Sequence, residues 1–167
     1  MWWIVVLLVV AWLVLAWVIP FFFWPYVRKQ PLPTRFPREL EEACEQLSEL
    51  HATPYEYIHH ASEYLLSQNS AARLRGVFLF RQAFETDAKR LLARSGFLHT
   101  HHLNYLMRVL LSKSSFFSDS EIRIRYAFLN FRLHHYLQVK VAGQWFDVDV
   151  AGLCWGVPLG SHAWGFR

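Results

Sequence analysis

A sixteen-residue passage near the carboxyl end, His134-His135-Tyr136-Leu137-Gln138-Val139-Lys140-Val141-Ala142-Gly143-Gln144-Trp145-Phe146-Asp147-Val148-Asp149, restricts the fold more than any other part of this chain. Apolar and polar residues roughly alternate from Leu133 to Val141 and again from Gln144 to Val150, the period of a half-buried strand. Ala142-Gly143 suits a tight two-residue turn, so the passage is expected to be an antiparallel hairpin. With that turn Val141 lies opposite Gln144, Tyr136 opposite Asp149 and His134 opposite Ala151. Leu137, Val139, Val141, Phe146, Val148 and Val150 then share the core face, and His134, Tyr136, Gln138, Lys140, Trp145, Asp147 and Asp149 share the other. His134 and Asp149 become diagonal neighbours, about 7 Å apart at the backbone and within reach of each other through their side chains. A carboxylate so placed fixes the tautomer of an imidazole and stabilises its protonated form.

Histidine, an aromatic two residues on, a polar residue, valine, a turn, tryptophan and aspartate together resemble the His/Asp half of the transglutaminase-like cysteine-protease superfamily. The resemblance implies His134 as general base, Asp149 as orienting acid and Trp145 in its usual place four residues before the aspartate. His135 and Asp147 are the alternates; the hairpin register turns His135 inward and sets Asp147 further from His134. Upstream, Asn104-Tyr105-Leu106-Met107-Arg108-Val109-Leu110-Leu111 resembles the central helix that follows the nucleophile, and Ile122-Arg123-Ile124-Arg125-Tyr126 is a strand in the expected order. The resemblance spans roughly Pro54 to Phe166. It implies an α+β fold, helices first and an antiparallel sheet last, with a transglutaminase-like or papain-like core.

Counting back from Leu110-Leu111, the family's cysteine position falls on Thr100, flanked by His99 and His101. A cysteine serves there because a helix N-terminus stabilises the attacking thiolate, and a threonine hydroxyl is far less acidic. Thr100 is expected to act as the N-cap of the helix that follows, from about His101 to Ser112. Two cysteines occur elsewhere. Cys44 sits among carboxylates in Glu41-Glu42-Ala43-Cys44-Glu45, which disfavours a thiolate, and Cys154 lies in the apolar segment Gly152-Leu153-Cys154-Trp155-Gly156. Both read as buried or incidental thiols, with Cys154 folded back beside His134 as the route by which an enzyme would survive.

Residues 1–26 carry no charged side chain, and Trp2 to Ile19 is long enough to cross a bilayer as a single helix with Trp24 and Tyr26 at one interface. No basic n-region or small-residue cleavage site is visible, so the segment is expected to remain as a single-pass transmembrane anchor. Arg28, Lys29, Arg35 and Arg38 follow it closely, which places the C-terminal domain in the cytoplasm and the basic cluster against anionic headgroups. Residues 27–37 form a basic, proline-spaced linker and residues 38–167 the domain. All 17 basic and 13 acidic residues lie beyond Tyr26, and the net charge of +4 is partly this linker. No clustered Lys/Arg surface of the kind that holds nucleic acid is apparent.

Within the domain an acidic helix is expected from Arg38 to Leu50, and Thr53-Pro54-Tyr55-Glu56 is a capping box opening a helix to about Ser67. Helical patterns continue from Ser70 to about Arg94, with Phe78, Phe80 and Phe84 as core aromatics, and stop at Ser95-Gly96. Of the nine histidines, His99, His101 and His102 cluster at one helix start, and facing His134 and His135 they present a possible metal-binding module, although no known ligand spacing accompanies them. His59 and His60 are read as exposed or capping, and His162 belongs to a glycine-rich tail able to close over the hairpin, its role open. Three functions follow: a noncatalytic binding or scaffold module with a protein partner, an acyl-transferase or peptidase using His134 and Asp149 with Thr100 or Cys154, and a metal module. No cofactor is implied.

Overall fold

The computed structural model describes residues 2–15, 28–50, 53–71 and 79–166. Helix α1 covers Trp2–Leu13, α2 Arg38–Leu50 and α3 Pro54–Gln68. A two-residue strand β1, Asn69–Ser70, follows, then a 3-10 turn at Phe80–Phe84, the short helix α4 at Ala88–Leu92 and strand β2 at Gly96–Phe97. Helix α5, Thr100–Lys113, leads through a second 3-10 turn to β3 (Ile122–Leu129), β4 (Arg132–Val141), β5 (Gln144–Val148) and the one-turn helix α6 (Val150–Leu153). Strands β3, β4 and β5 make an antiparallel sheet in sequence order, and β1 pairs with β2 in parallel. The expected α+β order, helices before sheet, is present.

Helix α5 is buried on nearly every side, from His101 through Leu111. Its apolar residues Leu103, Leu106, Met107 and Leu110 form one core cluster with Leu137, Val139, Val141 and Val148 of the sheet and with Tyr57, Ile58, Ala61 and Leu65 of α3. The spacing of that last set, i, i+1, i+4 and i+8, is one face of a helix. Helix α3 begins where the capping box predicts: Thr53 Oγ1 accepts from the Glu56 amide and the Glu56 carboxylate accepts from the Thr53 amide. The Tyr57 hydroxyl then donates to the Leu110 carbonyl at 2.8 Å, pinning α3 across α5.

The membrane assignment is corrected. Among the described residues no helix is long and apolar enough to cross a membrane. The regular helix at the N-terminus has 12 residues and loosens into a π turn at Val14 and Leu15. At 1.5 Å per residue it spans about 18 Å against about 30 Å of hydrocarbon. Trp12 near its end lies edge-on to Phe131 of the domain, ring centroids 6.2 Å apart. Residues 16–27, on which the rest of the expected anchor fell, lie outside the described residues. The cytoplasmic orientation rested on that span and falls with it. The basic cluster is also differently employed: Lys29 pairs with Asp119 at 3.1 Å and donates to the Ile122 carbonyl at 2.7 Å, with a further short contact to the Asp119 carbonyl. Leu32 and Phe36 pack against the core and the Gln30 carbonyl accepts from Arg108, so the proline-spaced stretch is docked on the domain rather than standing off it as a spacer.

The stretch expected as helix from Ser70 to Arg94 is also corrected. It opens with β1, contains the 3-10 turn and α4, and Phe84 is 54% exposed instead of belonging to the core. Residues 72–78, including Phe78, lie outside the described residues.

Candidate functional site

The hairpin forms in the expected register, with Val141 against Gln144, Lys140 against Trp145, Gln138 against Asp147 and Leu137 against Val148. Ala142 (φ +49°) and Gly143 (φ +84°) both take left-handed conformations, the turn that matches the right-handed twist of the flanking strands. Strand β5 ends at Val148, so Asp149 starts the next element: it is the N-cap of α6, its Oδ1 accepting from the Gly152 amide at 2.8 Å. That turn swings the carboxylate back over β4.

There it meets His134. The imidazole Nε2 lies 2.7 Å from Asp149 Oδ2, with His134 5% and Asp149 2% exposed. The Ala163 amide donates to the same oxygen at 2.9 Å. Burial alone would raise the carboxyl pKa of Asp149; the His134 hydrogen bond and charge, with the amides of Ala163 and Gly152, outweigh it and hold the group below its usual range. The carboxylate thus accepts a hydrogen bond from Nε2–H, and the ring's other nitrogen, Nδ1, has no hydrogen-bond partner among the described residues. An oriented imidazole with one nitrogen uncommitted is the acid-base half of a nucleophilic site.

The face of the hairpin carrying this pair is covered, not solvated. The C-terminal tail crosses it. His162 Nδ1 sits 2.6 Å from Asp147 Oδ2 and its ring stacks on Tyr136 at 4.2 Å and 4°. Tyr136 is in turn nearly parallel to His134, 6.5 Å between centroids, and the Trp155 ring lies 5.6 Å from His134. Gln138 donates to Asp147 Oδ1 at 2.6 Å, so Asp147 serves His162 and Gln138 and not His134. Trp145 lies outside this group, half exposed under the Arg123 guanidinium at 3.7 Å. The tail closes over the hairpin as its glycines suggested and gives His162, whose role the sequence left open, a place beside Asp147 and Tyr136; sequence reasoning missed Trp155 and the Ala163 amide as parts of the site. The one available signal was the run of glycines at 156, 160 and 165, all of which adopt positive φ and let the tail double back.

Thr100 is corrected from N-cap to first helical residue. The N-cap of α5 is His99, which makes no side-chain cap hydrogen bond. Thr100 is half-buried, and no hydrogen bond joins it to His134 or Asp149. It precedes Asn104 by one turn, and the Asn104 amide donates to the His135 carbonyl at 2.7 Å and to His135 Nδ1 at 2.9 Å. The helix start and the strand that carries the base are therefore tied at adjacent residues. His135 faces the helix, as the register requires, and its pKa is lowered to about 3, chiefly by burial and then by the His134 charge, with Asp149 opposing.

The histidine cluster has another task. His99 Nε2 lies 3.0 Å from the Leu79 carbonyl, His101 Nε2 2.9 Å from that of Ala83 and His102 Nε2 3.1 Å from that of Glu85. Three neighbouring imidazoles hold the 79–85 segment to the start of α5 by donating Nε2–H to main-chain oxygens. Burial lowers the pKa of each, His102 to about 3, so the rings stay neutral and keep their single donor.

Neither cysteine is hydrogen-bonded to the pair. Cys44 is buried on α2, its thiol pushed up to about 11 by burial, with Lys113 opposing and Glu41 and Glu45 adding to the rise. Cys154 follows α6 and is exposed, and neither sulfur hydrogen-bonds His134. With the site assembled, comparison with protein-family models, with curated proteins and with solved structures finds no match to this chain.

Proposed function

We propose that this chain is a transglutaminase-like domain that keeps the base and acid of an acyl-transfer site, has lost its nucleophile at Thr100, and works as a binding or scaffold module for a protein partner. The observation that carries the reading is the 2.7 Å contact of His134 Nε2 with Asp149 Oδ2, fully buried and secured by two main-chain amides. It is supported by the residue that opens the buried central helix, where a thiolate would gain from the helix N-terminus and where a threonine stands instead. An imidazole that can take a proton and an acid that orients it have no covalent chemistry to perform without an attacking atom.

Restoring the sulfur tests this. In Thr100→Cys the new thiol should be alkylated at pH 6 at least about tenfold faster than an ordinary exposed thiol, and His134→Phe in the same chain should remove the advantage. A Thr100→Cys thiol reacting no faster than Cys154 would refute the assignment of Thr100 and His134 to one site. In the unaltered chain Cys44 and Cys154 should label slowly and without regard to His134. Fast, His134-dependent labelling of either would refute the loss of catalysis.

A further inference from the structure

Away from this site, α3 presents His59, His60 and Glu63 on its exposed side. Residues one turn apart on a helix are surface neighbours, which brings His59 and Glu63 together, and His60 reaches the same carboxylate from three residues before it. His60 Nδ1 is 2.9 Å and His59 Nδ1 3.4 Å from Glu63 Oε2. One of these is an ordinary hydrogen-bond length. The other is too long, so proton sharing accounts for only one ring's orientation.

A shared cation would orient both. With bonds of about 2.0–2.2 Å, donors along a tetrahedral edge are roughly 3.3–3.5 Å apart, and along an octahedral edge about 3.0 Å. The His59 spacing matches the tetrahedral edge and the His60 spacing the octahedral one, so a movement of about 0.4–0.5 Å at one ring brings both to a single geometry, and all three donor atoms lie within 4.8 Å of one another. The imidazoles also brace each other edge to face, 5.2 Å between centroids, which limits the rotation needed on binding. Among the described residues this is the group of three ligand-type side chains so arranged.

We propose that His59, His60 and Glu63 form an open three-ligand site for a divalent transition metal of the zinc type, with water completing the coordination. Two imidazoles and one carboxylate favour zinc, nickel or copper over magnesium or calcium, which take oxygen donors. The site lies outside the His134–Asp149 pair and does not depend on the function proposed for it.

Calorimetric titration of the metal-stripped full chain with zinc chloride at pH 7.5 should show one site with a micromolar or tighter Kd, and magnesium chloride should give no signal. His59→Ala and Glu63→Gln should each weaken zinc at least about tenfold, whereas Glu49→Gln, an exposed carboxylate on α2, should leave it unchanged. All three positions are on the surface, and circular dichroism of each variant checks that the fold is intact. A wild-type Kd above about 1 mM, or a His59→Ala/Glu63→Gln chain binding within about threefold of wild type, overturns the proposal.

Discussion

Three imidazoles buried in a neutral state make this fold sensitive to mild acid. His101 is held well below the ordinary histidine range by burial, then by the charges of His102, His135 and His99, with the Ala83 carbonyl opposing. His102 and His135 are both lowered to about 3, burial being the largest cause in each. In the unfolded chain each titrates near 6.5. The depressed folded values fix the sign: the stability these groups contribute is complete above pH 6.5 and is lost as pH falls from there toward 3, because the unfolded chain takes up protons that the folded chain refuses. His102 and His135 each contribute a slope of about 1.4 kcal/mol per pH unit below 6.5, so moving from pH 7 to pH 5 removes about 2 kcal/mol per ring and about 4 kcal/mol for the two, and His101 acts in the same direction. That is a large part of the whole stability of an ordinary domain. Urea titrations at half-unit intervals from pH 7.5 to 5.0 should give a stability falling with a limiting slope of about 3 kcal/mol per pH unit or steeper. Asp149 cannot mimic this, since its depressed pKa removes stability only at pH below about 4. A stability that is level from pH 7 to 5, or that falls with less than one proton's slope, would refute the account of imidazoles buried in the neutral form.

Three substitutions probe the supports around the site by the same unfolding assay. Ala142→Asn should stabilise by about 0.5–1 kcal/mol, because asparagine tolerates the left-handed conformation that Ala142 adopts at φ +49°; a loss of stability would show that the turn differs. Gly152→Ala should cost about 1–3 kcal/mol, since its Cβ would come 2.5 Å from Asp149 Oδ2 and force the carboxylate off its partners; a neutral effect would mean the carboxylate is not seated there. Arg108 is buried and binds Asp119 through two nitrogens at 2.7 and 2.9 Å, while Asp119 is 37% exposed in its side chain and also meets Lys29. Asp119→Ala, which strands the guanidinium, should therefore cost about 3–5 kcal/mol and more than Arg108→Met; the reverse order would refute the burial asymmetry.

What the sequence made legible was local. The hairpin register followed from two alternating runs and a turn of two residues, and it placed His134 and Asp149 on the same face before any coordinates. The capping box at Thr53 was legible for the same reason, since its donors and acceptors lie within four residues. What failed was non-local. The segment before Ser95 has a helical pattern, yet its backbone oxygens are taken by imidazoles 17 to 20 residues further on, and a periodicity argument cannot see a partner at that distance. The glycine-rich tail was legible as a segment able to close over the hairpin, but what seats it was not: the Trp155 indole donates to the Ala71 carbonyl, 84 residues away, and that fixes where the tail begins its return. The anchor failed on a different ground. Composition marked the N-terminus as apolar, but whether an apolar run forms one long helix depends on where it bends and what it meets, here a π turn and the Phe131 ring.

The two members of the buried pair are not equivalent, and the difference separates chemistry from architecture. Asp149 holds three donors at once: the His134 ring, the Gly152 amide that starts α6 and the Ala163 amide that seats the tail. Removing it leaves two main-chain donors and an imidazole without acceptors in a dry interior, a loss of about 3–5 kcal/mol. His134 makes one hydrogen bond, and in His134→Phe an aromatic ring remains beside Tyr136 and Trp155 and the carboxylate keeps both amides, so the cost is that of a buried carboxyl without its imidazole partner, about 2–3 kcal/mol. Asp149→Ala, which leaves three donors unsatisfied, should therefore destabilise by at least about 1 kcal/mol more than His134→Phe. Equal costs would show that the carboxylate serves the imidazole alone. With the expected order, the fold has an architectural reason to hold an aspartate at 149 and none of comparable size to hold a histidine at 134, which makes His134 the residue whose replacement reports on what the site does.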